Sequence, residues 1–206
     1  MMLAVHARYR GREVRRAELV RRSAEALSTL QGVGEFRMLG VEDICAAIDS
    51  PEALCDIVMA LLSDGGWAIG IGIVPGAPQS GQTEEVEERV RGIATASLPG
   101  RTRAGGVWVR IDAADTSRAS ASRASADSND IAATFALVGH VLSKRTVEGR
   151  EATSLMRSGL NQNEAAAELG ISKQAMSQRL QAAGWQVESG GWQLAVNLIR
   201  RAGTTP

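Results

Sequence analysis

The chain has 206 residues, enough for one large core or two small ones, and its 44% hydrophobic and 22% charged content excludes a mainly disordered protein. Formal net charge is zero but unevenly spread: residues 144–206 hold eight Lys or Arg against five acids, residues 1–143 fifteen against eighteen. The two cysteines, Cys45 and Cys55, lack metal-ligand spacing, and no apolar run approaches the roughly twenty residues of a membrane helix, so we expect a cytoplasmic protein whose cysteines are buried small hydrophobes.

In chain order, Leu3 to Ala7 suits a strand, and Arg12 to Leu30 carries Val14, Ala17, Val20, Ala24 and Leu27 at helical spacing. Arg8, Arg10, Arg12, Arg15, Arg16, Arg21 and Arg22 crowd this region. With Glu13, Glu18 and Glu25 interleaved, they read as a solvated face ahead of a second phosphate contact. Gly34 to Ile48 predicts a hairpin about the turn Gly40-Val41-Glu42-Asp43. Ser50-Pro51 opens a buried helix to Leu62, since a serine cap followed by proline at the first helical position starts helices well.

Asp64-Gly65-Gly66 breaks that helix, and Trp67 to Val74, WAIGIGIV, predicts a central strand. Alternation puts Trp67, Ile69, Ile71 and Ile73 on one face and Ala68, Gly70 and Gly72 on the other, a bare face that something can approach closely. A loop over 75–81, an acid-led helix from Thr83 to Ala96 and a strand from Gly106 to Ile111 follow. Ala113 to Ser128, rich in Ser, Ala and Asp without an apolar period, reads as a linker. The expected organisation is thus an α+β domain over 1–113, a linker over 114–128 and an all-helical domain over 129–206. Within the last, helices are expected from Asn129 through Arg145, over 148–157 and over 192–201, with a turn from Gly184 to Gly191.

The most constrained stretch is Asn161 to Gln181, NQNEAAAELGISKQAMSQRLQ. Asn161 and Glu164 stand at capping-box spacing; Ala165, Ala166 and Leu169 form an inner face; Gly170 ends the helix; and Ser172 caps the next. In that second helix Met176 and Leu180 point inward at i, i+4. Small residue, glycine turn, hydrophobe and second hydrophobe at these spacings describe a DNA-binding helix-turn-helix, in which close packing lets the second helix stand proud and enter a major groove. The expected DNA-binding residues are Asn161, Gln162, Ser172, Lys173, Gln174, Ser177, Gln178 and Arg179.

With FRMLGVED, DGGWAIGIGIV and LMRSGLNQNEAAAELGISKQAMSQRLQAAGW, the chain resembles the SatD family in its actinobacterial form with a C-terminal helix-turn-helix. The N-terminal part also looks like the ferredoxin-like palm of nucleotidyl cyclases, a β-α-β-β-α-β order with a turn of the GDEF kind. That resemblance implies metal-binding acids on the first strand and the hairpin turn. Here Arg8 stands in place of the first-strand acid, and Gly40-Val41-Glu42-Asp43 is displaced from the family's Gly-Asp-Glu. A degenerate palm-like domain without catalysis, catalytic residues, metal or cofactor is the expectation, with a guanidinium that favours a nucleotide or other anionic effector.

The function expected is a sequence-specific transcriptional regulator acting on double-stranded DNA as a homodimer, with the N-terminal domain serving dimerisation or ligand sensing and no membrane partner. The alternative is a nucleotide-binding or cyclase-like enzyme using Glu42 and Asp43, with the helical domain as regulator. A module docking on polymerase, like a sigma factor or its antagonist, ranks third. His6 and His140 lie in apolar runs and read as satisfied core residues, and neither a Walker nor a Rossmann fingerprint is present.

Overall fold

The computed structural model describes residues 1–76, 84–112 and 117–204. The chain is α+β: a five-stranded mixed sheet built by the N-terminal half, followed by a helical region. The elements are β1 (Met2–Tyr9), α1 (Arg16–Leu27), β2 (Arg37–Met38), β3 (Asp43–Ile48), α2 (Pro51–Asp64), β4 (Trp67–Val74), α3 (Glu84–Ser97) and β5 (Val107–Ile111). They continue with α4 (Arg118–Ser143), α5 (Val147–Arg157), α6 (Gln162–Glu168), α7 (Lys173–Ala182) and α8 (Trp185–Gly203). Sheet order is β2-β3-β1-β4-β5, with β1 antiparallel to both β3 and β4, and β5 parallel to β4. The first four strands therefore have the ferredoxin-like arrangement, and α3 and β5 extend it by one edge strand.

β1 is central and almost wholly apolar because both its faces are covered. Leu3, Val5, Ala7 and Tyr9 join the large core with Ile44, Ala46, Ile48, Trp67, Ile69, Ile71 and Ile73; Met2 and Ala4 join Val74, Val90 and Ala94 on the other side. The bare face of β4 is the seat of α3. A Cβ on Gly72 would lie 2.6 Å from Ala94 N and 2.7 Å from Val90 O, and one on Gly70 would lie 2.5 Å from Ala94 O. Those neighbours are helix backbone and cannot swing aside. The arginines of α1 point outward and meet acids, Arg21 with Glu25 and Arg22 with Glu18, so the solvated face is what forms.

Two expectations on the helical half change. Residues 118–128, read as linker, are the first three turns of α4, capped by Ser117 through Ser120 N at 3.2 Å; residues 113–116 lie outside the described residues. Ala121, Ala124, Ser125 and Ser128 line a shallow cavity with β5, most of residues 118–128 are exposed and so need no apolar stripe, and buried Asp127 accepts from Arg201 at 2.8 Å. Of the turn expected over 184–191 only Gly184 is turn, at φ +67°, and residues 185–191 are helix. A Cβ on Gly191 would lie 2.3 Å from Val138 Cγ2, so this glycine allows α8 to lie close on α4.

The large core does not end at residue 113. Ile131, Phe135, Val138 and Leu142 of α4 and Ala195, Val196, Ile199 and Ala202 of α8 belong to it, packed with α2 and the sheet. A second core of Ala152, Ala165, Ala166, Met176 and Leu180 is confined to α5, α6 and α7, with Trp185 packed at its edge.

Candidate nucleic-acid interface

α6 and α7 form as the caps dictate. Asn161 Oδ1 accepts from Asn163 N (2.9 Å) and Glu164 N (3.1 Å), and Glu164 Oε2 accepts from Asn161 N (2.8 Å), a complete capping box. Gly170 takes φ +62°, and Gly170 N donates to Ala167 O while Ile171 N donates to Ala166 O, which satisfies the last carbonyls of α6 in a Schellman motif. Ser172 Oγ then accepts from Ala175 N at 3.1 Å. Every heavy apolar side chain of α7 faces in: Met176 is fully buried and Leu180 nearly so.

What remains outward on α7 is polar. Lys173, Gln174, Ser177 and Gln178 are exposed, and Gln181 continues the stripe one turn on. Gln181 was not among the expected residues, although its spacing from Gln174, Ser177 and Gln178 places it on their face. The other expected residues take different parts. Asn161 and Ser172 commit their side-chain oxygens to caps, and Gln162 Nε2 donates to Lys173 O at 3.4 Å, tying α6 to the start of α7. Arg179 is half-buried and faces α5: Glu148 is held low by hydrogen bonds to its own backbone and Thr146 and by the Arg179 charge.

A buried ion network sets the angle at which this unit is carried. Glu188 of α8 is 3% exposed and lies between Arg145, equally buried, and Arg157. Arg145 Nη2 donates to Glu188 Oε2, Arg145 Nε donates to Ala183 O at the end of α7 (2.7 Å), and Arg157 Nε and Nη2 donate to Glu188 Oε1 at 2.8 and 2.5 Å. One carboxylate thus joins α8, α5 and the α4–α5 turn, while Arg145 caps α7. Charge in a helical segment normally reads as surface, so the sequence carried no sign of this.

The acids of the sheet end are neutralised in place. Glu42 accepts from Arg10 (2.6 Å) and Arg16 (2.5 Å), and hydrogen bonds from these two guanidiniums hold it below the usual carboxylate range. Asp43 accepts from Arg8 Nε at 2.6 Å and lies 2.7 Å from His6 Nε2. Burial pushes its carboxyl up, but Arg8 and His6 outweigh this and hold it low. Arg8 thus commits its Nε–H to Asp43. His6 has an acid partner after all, brought across from the neighbouring strand where β1 and β3 pair, and its Nδ1 lies 2.9 Å from Thr95 Oγ1.

The order Thr95, His6, Asp43 has the outline of a nucleophilic triad. Thr95 lies within α3, however, where the surrounding N–H groups are spent on the helix and cannot receive an oxyanion. Burial pushes the His6 imidazole down against Asp43's opposing pull, and it pushes the Cys45 thiol up to about 12 and Cys55 higher still, so neither cysteine is a nucleophile. No helix among the described residues is long and apolar enough to cross a membrane.

Compared with known proteins, the chain matches no protein-family model, no curated protein and no solved structure.

Proposed function

We propose that the protein is a cytoplasmic, sequence-specific DNA-binding transcriptional regulator of the SatD kind, with α7 as its recognition helix. The single observation that carries this is the division of α7: Met176 and Leu180 are buried, while Lys173, Gln174, Ser177 and Gln178 are exposed on one face that makes no use of them within the chain's cores. Glutamine amides pair bidentately with adenine, each such pair being worth about 1–3 kcal/mol of discrimination, and Lys173 at the helix start suits a phosphate. A single motif buries too little surface for tight operator binding, so the regulator acts as a homodimer with two recognition helices about one DNA turn apart.

The experiment is selection of bound sequences from a random duplex pool by the full chain, repeated with Gln174→Ala and Gln178→Ala. A consensus of two half-sites that relaxes at defined positions in the variants supports the reading. Variants that return the parent consensus unchanged refute the assigned face. The cyclase-like alternative is disfavoured by the ion pairs at its acids, since metal binding at Glu42 and Asp43 would first have to displace Arg10, Arg16 and Arg8.

A further inference from the structure

We propose that the trough between α2, α5 and α8 is a binding site for a small aromatic amine. The cavity measures about 520 Å³, within the range of about 300–1,000 Å³ typical of small-molecule sites. It runs along one face of α8, where Trp185 and Trp192 are seven residues, or two turns, apart, with Met59 of α2 on the opposite wall. Both indoles are half-buried, so their rings offer apolar area to a guest at little ordering cost.

The polar groups assign the sign of the guest. Asp56 and Glu188 both line the trough, but they are not equivalent. Glu188 is fully engaged by Arg145 and Arg157, and the Nε and Nη2 of Arg157 are in turn spent on it. Asp56 receives one hydrogen bond, from the uncharged Trp192 Nε1 at 2.7 Å, and among the described residues no guanidinium or ammonium forms an ion pair with it. Asp56 is therefore the carboxylate of this trough left without an ion-pair partner among the described residues, exposed at the mouth of an aromatic cavity. That combination favours a cation whose body is apolar, through charge on Asp56 and through the negative ring faces.

The trough also touches both cores, since Trp192 packs on the large one and Trp185 on the helix-turn-helix one. A guest held by both indoles would stiffen the joint between them. Occupancy requires no DNA, so its failure leaves the reading of α7 where it stands.

The test is calorimetric titration of the full chain with 4-phenylbutylamine and with 4-phenylbutyrate, which share ring and chain but carry opposite charge. The expected result is binding of the amine, with quenching of tryptophan emission, and affinity for the acid roughly tenfold weaker or less. Asp56→Asn is expected to erase the difference between the two probes. Ala60→Phe, which fills the trough from α2 and leaves the Asp56 carboxylate in the chain, is expected to abolish amine binding while circular dichroism and melting remain those of the parent. Absence of heat with both probes at millimolar concentration, equal affinities in the parent, or amine binding that survives Ala60→Phe would each overturn the proposal.

Discussion

Replacing Glu188 by Gln keeps the shape of the side chain and removes one charge from a place that water hardly reaches. Arg145 and Glu188 are each 3% exposed, whereas Arg157 is 42% exposed and can turn to solvent when released. The cost is therefore that of leaving the Arg145 guanidinium buried with hydrogen bonds to Ala183 O and Thr153 but no counter-charge, about 3–5 kcal/mol. The Arg157 half adds less than about 1 kcal/mol, as for other solvent-screened pairs. Because the Gln carbonyl can still accept one hydrogen bond, the lower end, about 3 kcal/mol, is expected. For a chain of this length that corresponds to a fall in Tm of about 6–12 °C. Urea unfolding followed by circular dichroism measures it, and the double variant Arg145→Met, Glu188→Leu should recover most of the loss by exchanging the pair for apolar packing. A loss below about 1 kcal/mol for Glu188→Gln would show that water or relaxation reaches Arg145, and the network would then not be what holds α7.

Four further outcomes are expected. Gly72→Val should cost about 3 kcal/mol or leave the chain insoluble, because its Cβ meets the α3 backbone at Ala94 and Val90; a soluble variant with parental melting would count against the packing. Stability should fall as pH drops below the ordinary histidine value of 6.5, since His6 has a lowered pKa when folded and the unfolded chain takes up its proton first; the loss stops once the folded pKa is passed, and His6→Gln should flatten this part of the profile. Lys173→Ala should weaken binding to all duplexes and reduce the slope of log affinity against log salt by about one, read by fluorescence anisotropy. The fragment 129–206 should fail to fold as a monomer, because Ile131, Phe135, Val138, Val196 and Ile199 lose the sheet and α2 that bury them; a sharp cooperative melt of that fragment would contradict the shared core.

Local signals in the sequence were reliable wherever one residue type has one physical use. Asn161 with Glu164, Gly170 followed by Ile171, Ser172, and Ser50 with Pro51 each specify a helix end, and each end stands where these residues put it. The alternation in WAIGIGIV likewise foretold both a core face and a face approached by backbone. The misreadings arose where composition was taken for conformation. Ser/Ala/Asp content over 118–128 resembles a linker, yet a mostly exposed stretch of helix needs no apolar period, and Gly190-Gly191 resembles a turn although Gly191 serves close packing of α8. Tertiary pairings had no sequence signal at all: His6 with Asp43 and Glu188 with two arginines join residues 37, 43 and 31 positions apart.

These pairings change what the sheet can be for. In a palm that handles nucleotides one sheet face must stay open so that metal-bound phosphates reach the strand and turn acids. Here α3 lies on that face so closely that its backbone occupies the space above Gly70 and Gly72, and the acids beside it are tied to Arg8, Arg10 and Arg16. The opposite face is covered by α1, α2, α4 and α8, and the last two are the helices that flank the α5–α7 unit in sequence. With both faces spent on packing, the sheet's physical effect is to fix the directions of α4 and α8. Through Arg145 in the α4–α5 turn and Glu188 on α8, those directions fix where α7 points. Any event that shifts α8 on α2 by even part of a turn must either carry α7 with it or break a buried ion pair, and the second costs several kcal/mol, so movement of α7 follows movement of α8.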